Sequence, residues 1–497
     1  MAETDNINAN TSRNLDAEGN PLHPSIYEFE YIKFIKEGKE VDVAEKRLVT
    51  SLEIVEELYS PVLTGKMVIR DNENFFEEFG LSGQEIVKVG ILRPDWAENN
   101  SENTIELDLV VQDYSLFDKT TESINVQEYH LNLISSVAFV SRLQQISLSA
   151  TGSPVDEIKR IFKDYLPQVS IREDISPFRS GQGRKTDTEK YACHVNNLKT
   201  IITNRTPLQA IDWLKRCCYD NFWSPFFIWS SMLYDKSIRL ASWRNINDPE
   251  LNPIYGAGGS EGETPYVYKP FKESDSGDGN KGERQRHLKE LSSKIIGIRS
   301  NLSLNKLQQT VAGAGPANIT EIIDLNSRSY IEKKSKLAPE TKSQYRNQDQ
   351  EAEEPISFNY LQNLDGVDPY KFDSDNLTAN KDLFYFPLSP YGDGYLSAAE
   401  ITFEAQEYFK HYKSSIESVT HDITIYGDEA VHPGRRIKIE IPKALDTSEN
   451  DPGIDELISG TYIVLVTVHT FKSGVYVNRL KIAKESKYNP EFEIEER

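Results

Sequence analysis

From about residue 25 to 150, apolar and polar positions alternate along the chain with a period of two. Leu52 and Ile54 alternate with polar neighbours, and Gly65, Met67 and Ile69 take up the same rhythm after the turn at Ser60-Pro61. Ile105, Leu107 and Leu109 mark another face, as do Tyr129, Leu131 and Leu133. Successive side chains of a strand leave opposite sides of a sheet, so this pattern predicts half-buried strands of one antiparallel β-domain over residues 25–150. A short helix is expected to interrupt it at Asn74–Phe79, stopped by Gly80.

The period then changes. Ser153-Pro154 reads as a helix start, with Ile158, Ile161, Phe162 and Tyr165 forming one apolar stripe. Thr206-Pro207 opens a second helix, and Gln209 is placed to complete a capping box. That helix carries Leu208, Ile211, Trp213, Leu214 and Cys218. Aromatic strands follow at Phe222-Trp223, Phe226–Trp229 and Ile238–Leu240, so residues 151–245 are expected to form an α/β middle domain. Residues 246–395 read as an insertion and connecting region, part of which could complete the first or middle domain. It holds the Gly-rich acidic runs 256–265 and 274–283 and the polar stretch 336–355. Residues 396–497 return to period two. Ile423 and Ile425, then Ile437, Ile439 and Ile441, then Tyr462, Val464, Val466 and Val468, then Tyr476, Asn478, Leu480 and Ile482 predict four strands. With a helical segment around 398–412, they suggest a small barrel. Residues 1–24 read as a flexible arm, and no fixed-period repeat is visible.

Charge narrows the functional classes. The 497 residues carry 56 basic and 78 acidic side chains, a net charge of −22. That balance disfavours wrapping nucleic acid, which requires clustered Lys and Arg. It suits a surface past which DNA slides, and equally a large chain kept soluble by its charge. The three cysteines, Cys193, Cys217 and Cys218, cannot build a disulfide framework and read as thiols of a protein made in a reducing compartment. The first residues lack the apolar run of a signal peptide, and no long apolar stretch predicts a membrane helix.

Candidate chemistry is thin. The eight histidines (His23, His130, His194, His287, His411, His421, His432 and His469) form no H-x-H or H-E-x-x-H spacing. Gly256–Gly259 and Gly313–Pro316 lack the Gly-Lys-Ser/Thr of a phosphate loop. Ser260 falls in a G-x-S-x-G string, but inside a Gly-rich loop with no strand before it and no helix after it. Acid pairs such as Glu56-Glu57, Glu77-Glu78 and Glu353-Glu354 are expected by chance among 78 carboxylates. Asp373-Ser374-Asp375 lacks the Gly and distal Glu of a calcium loop. The Cys217-Cys218 pair ends an amphipathic helix, and His469 reads as an ordinary sheet histidine. No catalytic, cofactor-binding or metal-ligating constellation emerges.

Three stretches carry a family likeness. The run SLEIVEELYSPVLTGKMVIRDNENFFEEFGLSGQEIVKVGI (51–91), the helix RTPLQAIDWLKR (205–216), and the C-terminal runs HPGRRIKIEIPK (432–443), DELISGTYIVLVTVHTF (455–471) and GVYVNRLKIAKES (474–486) occur in the order seen in one family. They resemble the central baseplate hub proteins of contractile-tailed, T-even-like bacteriophages, and more distantly the base of type VI secretion spike proteins. The stretches at 246–290 and 335–395 depart from the family in length.

The resemblance implies an α+β fold, mainly antiparallel β, with two tail-tube-like β-barrel domains joined by an α/β middle region with long loops. It implies a structural, non-enzymatic role as a homotrimer whose six barrels form a pseudo-six-fold ring. The implied partners are a central spike protein, a tail tube or tube-initiator protein, and further the tape measure and baseplate wedge proteins. Viral DNA would pass through without specific binding, and the chain would reside in the virion tail baseplate after assembly in the host cytoplasm. No cofactor, metal or membrane anchor is implied. Two other readings remain: a tail-associated cell-wall-degrading enzyme, with its catalytic insert in 246–395, and a host-glycan-binding tail protein using the aromatics of 222–243.

Overall fold

The computed structural model describes residues 23–93, 103–119, 126–172, 193–196, 198–220, 224–234, 237–257, 264–268, 288, 290–302, 317–324, 329–336, 381–386, 396–397, 419–443, 453–455 and 458–484. The Ser260 string, Gly313–Pro316, Glu353-Glu354, Asp373–Asp375, Phe222-Trp223, His287, His411 and the helical segment at 398–412 lie outside them.

The N-terminal unit comprises β1 (Glu28–Lys36), β2 (Lys39–Asp42), β3 (Val49–Glu57), β4 (Thr64–Asp71), α1 (Phe75–Phe79), β5 (Ile86–Arg93), β6 (Asn103–Lys119) and β7 (Gln127–Ser135). Its strands are ordered β3-β4-β7-β6-β5-β1-β2, every pairing antiparallel. The expected period-two faces are its core: Leu52, Ile54, Met67, Ile69, Leu107, Leu109, Leu131 and Leu133 are all buried together. The short helix α1 appears where expected, with Gly80 in the left-handed region at φ 69° closing it. The Asp71 carboxylate accepts hydrogen bonds from the Phe75 and Phe76 amides at 3.0 and 3.1 Å, satisfying donors that the helix start leaves open.

The middle unit contains α2 (Ser136–Arg142), β8 (Ile146–Gly152), α3 (Pro154–Tyr165), β9 (Ser170–Arg172), β10 (Leu198–Arg205), α4 (Pro207–Lys215), β11 (Phe226–Trp229), β12 (Ser237–Ser242) and α5 (Trp243–Asn247). α3 buries the expected Ile158, Ile161 and Phe162, although the Ser153 side chain makes no capping bond and proline alone marks the start. α4 has the full capping box between Thr206 and Gln209.

The remaining strands are β13 (Tyr266–Val267), β14 (Ile295–Leu302), β15 (Ala317–Asp324), β16 (Ser329–Lys336), β17 (Lys381–Phe386), β18 (Leu396–Ser397), β19 (Val419–Tyr426), β20 (Arg436–Glu440), β21 (Gly460–Lys472) and β22 (Val475–Lys484). β15, β16 and β17 form a separate sheet, and β18 pairs with β10. The other six build the C-terminal unit in the order β14-β19-β22-β21-β20-β13, and Val267 also bridges to Lys294, just before β14. Thus β13 and β14, from the connecting region, sit in the same sheet as the C-terminal strands.

The two units repeat one topology. In chain order, β3, β4, β5, β6 and β7 pair as β3-β4-β7-β6-β5, while β14, β19, β20, β21 and β22 pair as β14-β19-β22-β21-β20. The irregularities repeat as well. A bulge between Val49 and Ser51 in β3 matches one between Ile295 and Gly297 in β14, and a bulge between Val111 and Asp113 in β6 matches one between Val464 and Val466 in β21. Just before β5 the Gln84 amide donates to Val111 O, and just before β20 the Gly434 amide donates to Val464 O. Both residues have positive φ, 78° and 82°. A fixed sequence period does not reveal this repeat, because residues 303–418 separate β14 from β19 whereas six residues, 58–63, separate β3 from β4.

The bulge in β21 also corrects a strand face. Simple alternation assigned Tyr462, Val464, Val466 and Val468 to one side. Leu465 is the extra residue, so the inner face runs Tyr462, Val464, Thr467, His469 and Phe471, opposite Ile482, Leu480, Asn478 and Tyr476 of β22. All of these side chains are buried.

Candidate functional site

β21 belongs to both sheets. Its first half, Gly460–Ile463, pairs with β20, and past the bulge Val466–Lys472 pairs antiparallel with β3 from Glu57 to Ser51. This seam makes the N- and C-terminal units one continuous sheet of 13 strands. The core follows the strand: Val464, Leu480 and Ile482 pack in the C-terminal unit, while Phe471 and Tyr476 pack with Tyr27 and Phe29 in the N-terminal one. The Phe471 and Tyr476 rings stack at 4.3 Å.

Polar residues are buried along this seam. Glu56 of β3 follows Leu52 and Ile54 on the inward face and is wholly buried. Its Oε1 accepts a hydrogen bond from the Met232 amide of the middle unit and lies 3.3 Å from His469 Nε2. That approach is close in distance but is not aligned as a hydrogen bond. On the other side of the ring, His469 Nδ1 meets the Tyr476 hydroxyl at 2.7 Å. Thr467 donates to Val431 O at 3.1 Å, and Asn478 donates to Asp428 O at 2.6 Å.

The turn before β20, His432-Pro433-Gly434-Arg435-Arg436, is clasped by the middle unit. Asn252 donates its amide hydrogens to Ile246 O and Gly434 O at 2.7 and 2.8 Å, and Arg436 donates to Asn252 O at 3.3 Å. Gly434 lies against Trp229, whose Cζ2 would be 2.9 Å from an added Cβ. Arg435 donates to Ala430 O at 3.1 Å and sits 5.0 Å over the Tyr255 ring, whose hydroxyl donates to Asp428 at 2.9 Å. His432 is held well below the usual imidazole range, by burial first and then by the Arg435 and Arg239 charges. The basic pair of this motif is therefore buried structure.

A second buried histidine ties β14 into the C-terminal unit. His421 Nδ1 meets Ser300 Oγ at 2.9 Å and Nε2 meets the Tyr462 hydroxyl at 3.0 Å. Tyr462 in turn donates to Ile458 O. The Tyr462 oxygen is then left to accept from Nε2–H, so Nδ1 accepts from Ser300. Burial, helped by the Lys484 charge, lowers His421 to about 4. Lys484 is itself lowered to about 8 by burial and donates to Ser459 O at 3.1 Å.

A carboxylate, an imidazole and a phenol in line could pass a proton, but Glu56, His469 and Tyr476 have no solvent-exposed surface through which a substrate could meet them. What the arrangement does is link buried polar groups of three units and fix how they dock. In sequence, Glu56 reads as part of a chance acid pair, His469 as an ordinary sheet histidine and Tyr476 as a strand-face residue, and nothing brings the three together. Glu56 was visible in principle, two residues past Ile54 on a period-two face, whereas the bulge concealed His469. Cys217 and Cys218 are both buried, and Glu77 and Glu78 lie on exposed positions of α1. Trp229 is buried beside Trp243, Phe227 and Leu465 rather than presented as a platform. Among the described residues, no group of three or more His, Cys, Asp or Glu side chains is placed to hold a metal ion, and no helix is long and apolar enough to cross a membrane.

No family model matches the chain, and no curated protein matches it in sequence. Its structural neighbours are tail and type VI secretion proteins. It is similar to the tail protein from Neisseria meningitidis MC58, at 11% identity and a TM-score of 0.46, over 92% of this chain and 97% of that one. It is similar to the 43 kDa tail protein of prophage MuSo2 from Shewanella oneidensis, at 8% identity and a TM-score of 0.44, over 92% and 98% of the two chains. An Escherichia coli protein described as a component of the type VI secretion system gives 8% identity and a TM-score of 0.39, over 93% and 79%.

Proposed function

We propose that this chain is a structural baseplate hub of a phage tail, in which three copies form a pseudo-six-fold ring between a hexameric tail tube and a trimeric central spike. The observation that carries the reading is the repeat: two sheet units of one strand order, with bulges at matching positions, fused side by side through β21 and β3. A chain that already joins two like units edge to edge offers the same kind of edge at each end. Head-to-tail joining of such edges closes into a ring when the rotation per unit fits. The return of β13 to Lys294 supports reading the C-terminal unit as a barrel of the tail-tube kind. The ring would bind spike protein on one face and tube or tube-initiator protein on the other, with the tape measure and wedge proteins as further partners. Its acidic side chains would keep the bore slippery for DNA. No enzymatic step is assigned to it.

The test is mass by light scattering, alone and with the spike protein, together with images down the ring axis. A trimer whose projection shows six similar lobes is the expected result. A chain that stays monomeric with the spike present, or a ring of any other copy number, overturns the reading.

A further inference from the structure

The internal repeat specifies how neighbouring copies join, given the ring reading above. Matching the bulges equates Val466 of β21 with Asp113 of β6, and Ser51 of β3 with Gly297 of β14. Within the chain, the seam uses β21 beyond its bulge, where β20 has ended, against the outer edge of β3. Among the described residues the equivalent edges are present and open. β5 pairs with β6 only as far as Val110, with a last backbone exchange at Val111, so among the described residues the rest of β6 pairs with β7 alone. β14 likewise pairs with β19 alone among them. Tyr114 is 44% exposed, although its counterpart Thr467 is wholly buried under β3. The counterparts of buried Thr467, His469 and Glu56 are Tyr114, Leu116 and Leu302, residue types suited to a seam that forms by association.

We propose that the edge of β6 beyond Val111 pairs antiparallel with β14 of a second copy, with Tyr114 opposite Leu302, Ser115 opposite Asn301, Leu116 opposite Ser300 and Phe117 opposite Arg299. Intramolecular β21–β3 seams and intermolecular β6–β14 seams then alternate around the ring. Unpaired strand edges are reactive surfaces, and this arrangement uses both.

Cysteine cross-linking of the full chain tests the register. Adjacent antiparallel pairs alternate in geometry, so Tyr114→Cys with Leu302→Cys and Ser115→Cys with Asn301→Cys between them include the closer type. On mild oxidation at least one of these variants is expected to give covalent dimers and trimers. The off-register combination Ser115→Cys with Arg299→Cys and the parent chain with its own thiols should not. Thr470→Cys with Glu53→Cys is the intramolecular control. A trimer by mass that cross-links at neither predicted pair overturns this seam and leaves the ring standing. A monomer that cross-links nowhere between copies overturns both.

Discussion

His469 Nε2 lies 3.3 Å from Glu56 Oε1 with both side chains wholly buried, although one belongs to the last long hairpin and the other to the third strand. They meet because β21 pairs with β3 in a register that sets Thr467 opposite Glu56 and His469 opposite Ile54, making the two diagonal neighbours on one face. The ring and the carboxylate, with Met232 and Tyr476, fasten three units at one point.

Truncating Glu56 leaves His469 with the Tyr476 hydroxyl alone, and truncating His469 leaves Glu56 with the Met232 amide alone. Glu56→Ala and His469→Ala are each expected to cost about 1–3 kcal/mol in urea unfolding. The double variant should cost clearly less than the two singles added together. Additive costs would mean that the two groups are not coupled.

The Leu465 bulge sets which face of β21 turns inward. Deleting Leu465 would remove the extra residue and leave Thr467, His469 and Phe471 facing inward, whereas deleting Val468 would drive His469 and Phe471 to the opposite side. Insoluble or unfolded protein is expected for the Val468 deletion, whereas Leu465→Ala should fold with a loss of about 2–4 kcal/mol. A soluble Val468 deletion variant with wild-type melting would refute the assigned register.

Gly434 combines a left-handed φ of 82° with close approach to Trp229, while Gly453 has a φ of 64° and open space beyond its Cα. Gly434→Ala is expected to cost about 2–4 kcal/mol and Gly453→Ala about 1 kcal/mol. Equal melting temperatures for the two variants would contradict the packing at Trp229.

Stability should fall on the acid side of neutrality. His421 is lowered to about 4 and His432 is held well below the usual imidazole range, both chiefly by burial. An unfolded histidine takes up its proton near pH 6.5, so between there and about 4 the unfolded chain binds protons that the folded chain refuses. The urea midpoint is expected to drop as pH falls from 7 to 4.5, and to drop less in His421→Gln. An unchanged slope in that variant would remove His421 as a source.

The enzymatic and glycan readings make opposite demands. Purified protein is expected to leave host peptidoglycan uncleared on zymograms, and Ser260→Ala to behave as wild type. Trp229→Ala should lower stability by about 3–5 kcal/mol because the indole is core. Glycan binding lost in that variant with the melting temperature intact would favour a recognition surface.

Much of this fold is legible in the sequence, because burial imposes period two on strands and helices carry their own start and stop residues. The Leu107 and Leu131 faces, the Thr206 capping box and the Gly80 stop all follow from local physics. The site is less legible. Glu56 sits in a run dense with acids, where an inward carboxylate looks like its solvated neighbours. His469 is displaced by one residue from the face that alternation assigns. The repeat lives in strand order and bulge positions, which backbone hydrogen bonding defines and residue identity barely records. Pairing between β3 and β21 joins residues from opposite ends of the chain, and no local pattern announces such a partner.

A strand shared by two sheets also orders events at the ribosome. β3 emerges early, but the neighbour that covers its outer edge is translated only near residue 472. The N-terminal sheet must therefore wait, with one margin unsatisfied, until β21 has left the exit tunnel. A prematurely terminated product would keep that margin open and be drawn toward aggregation or proteolysis, so incomplete subunits would be culled before particle assembly.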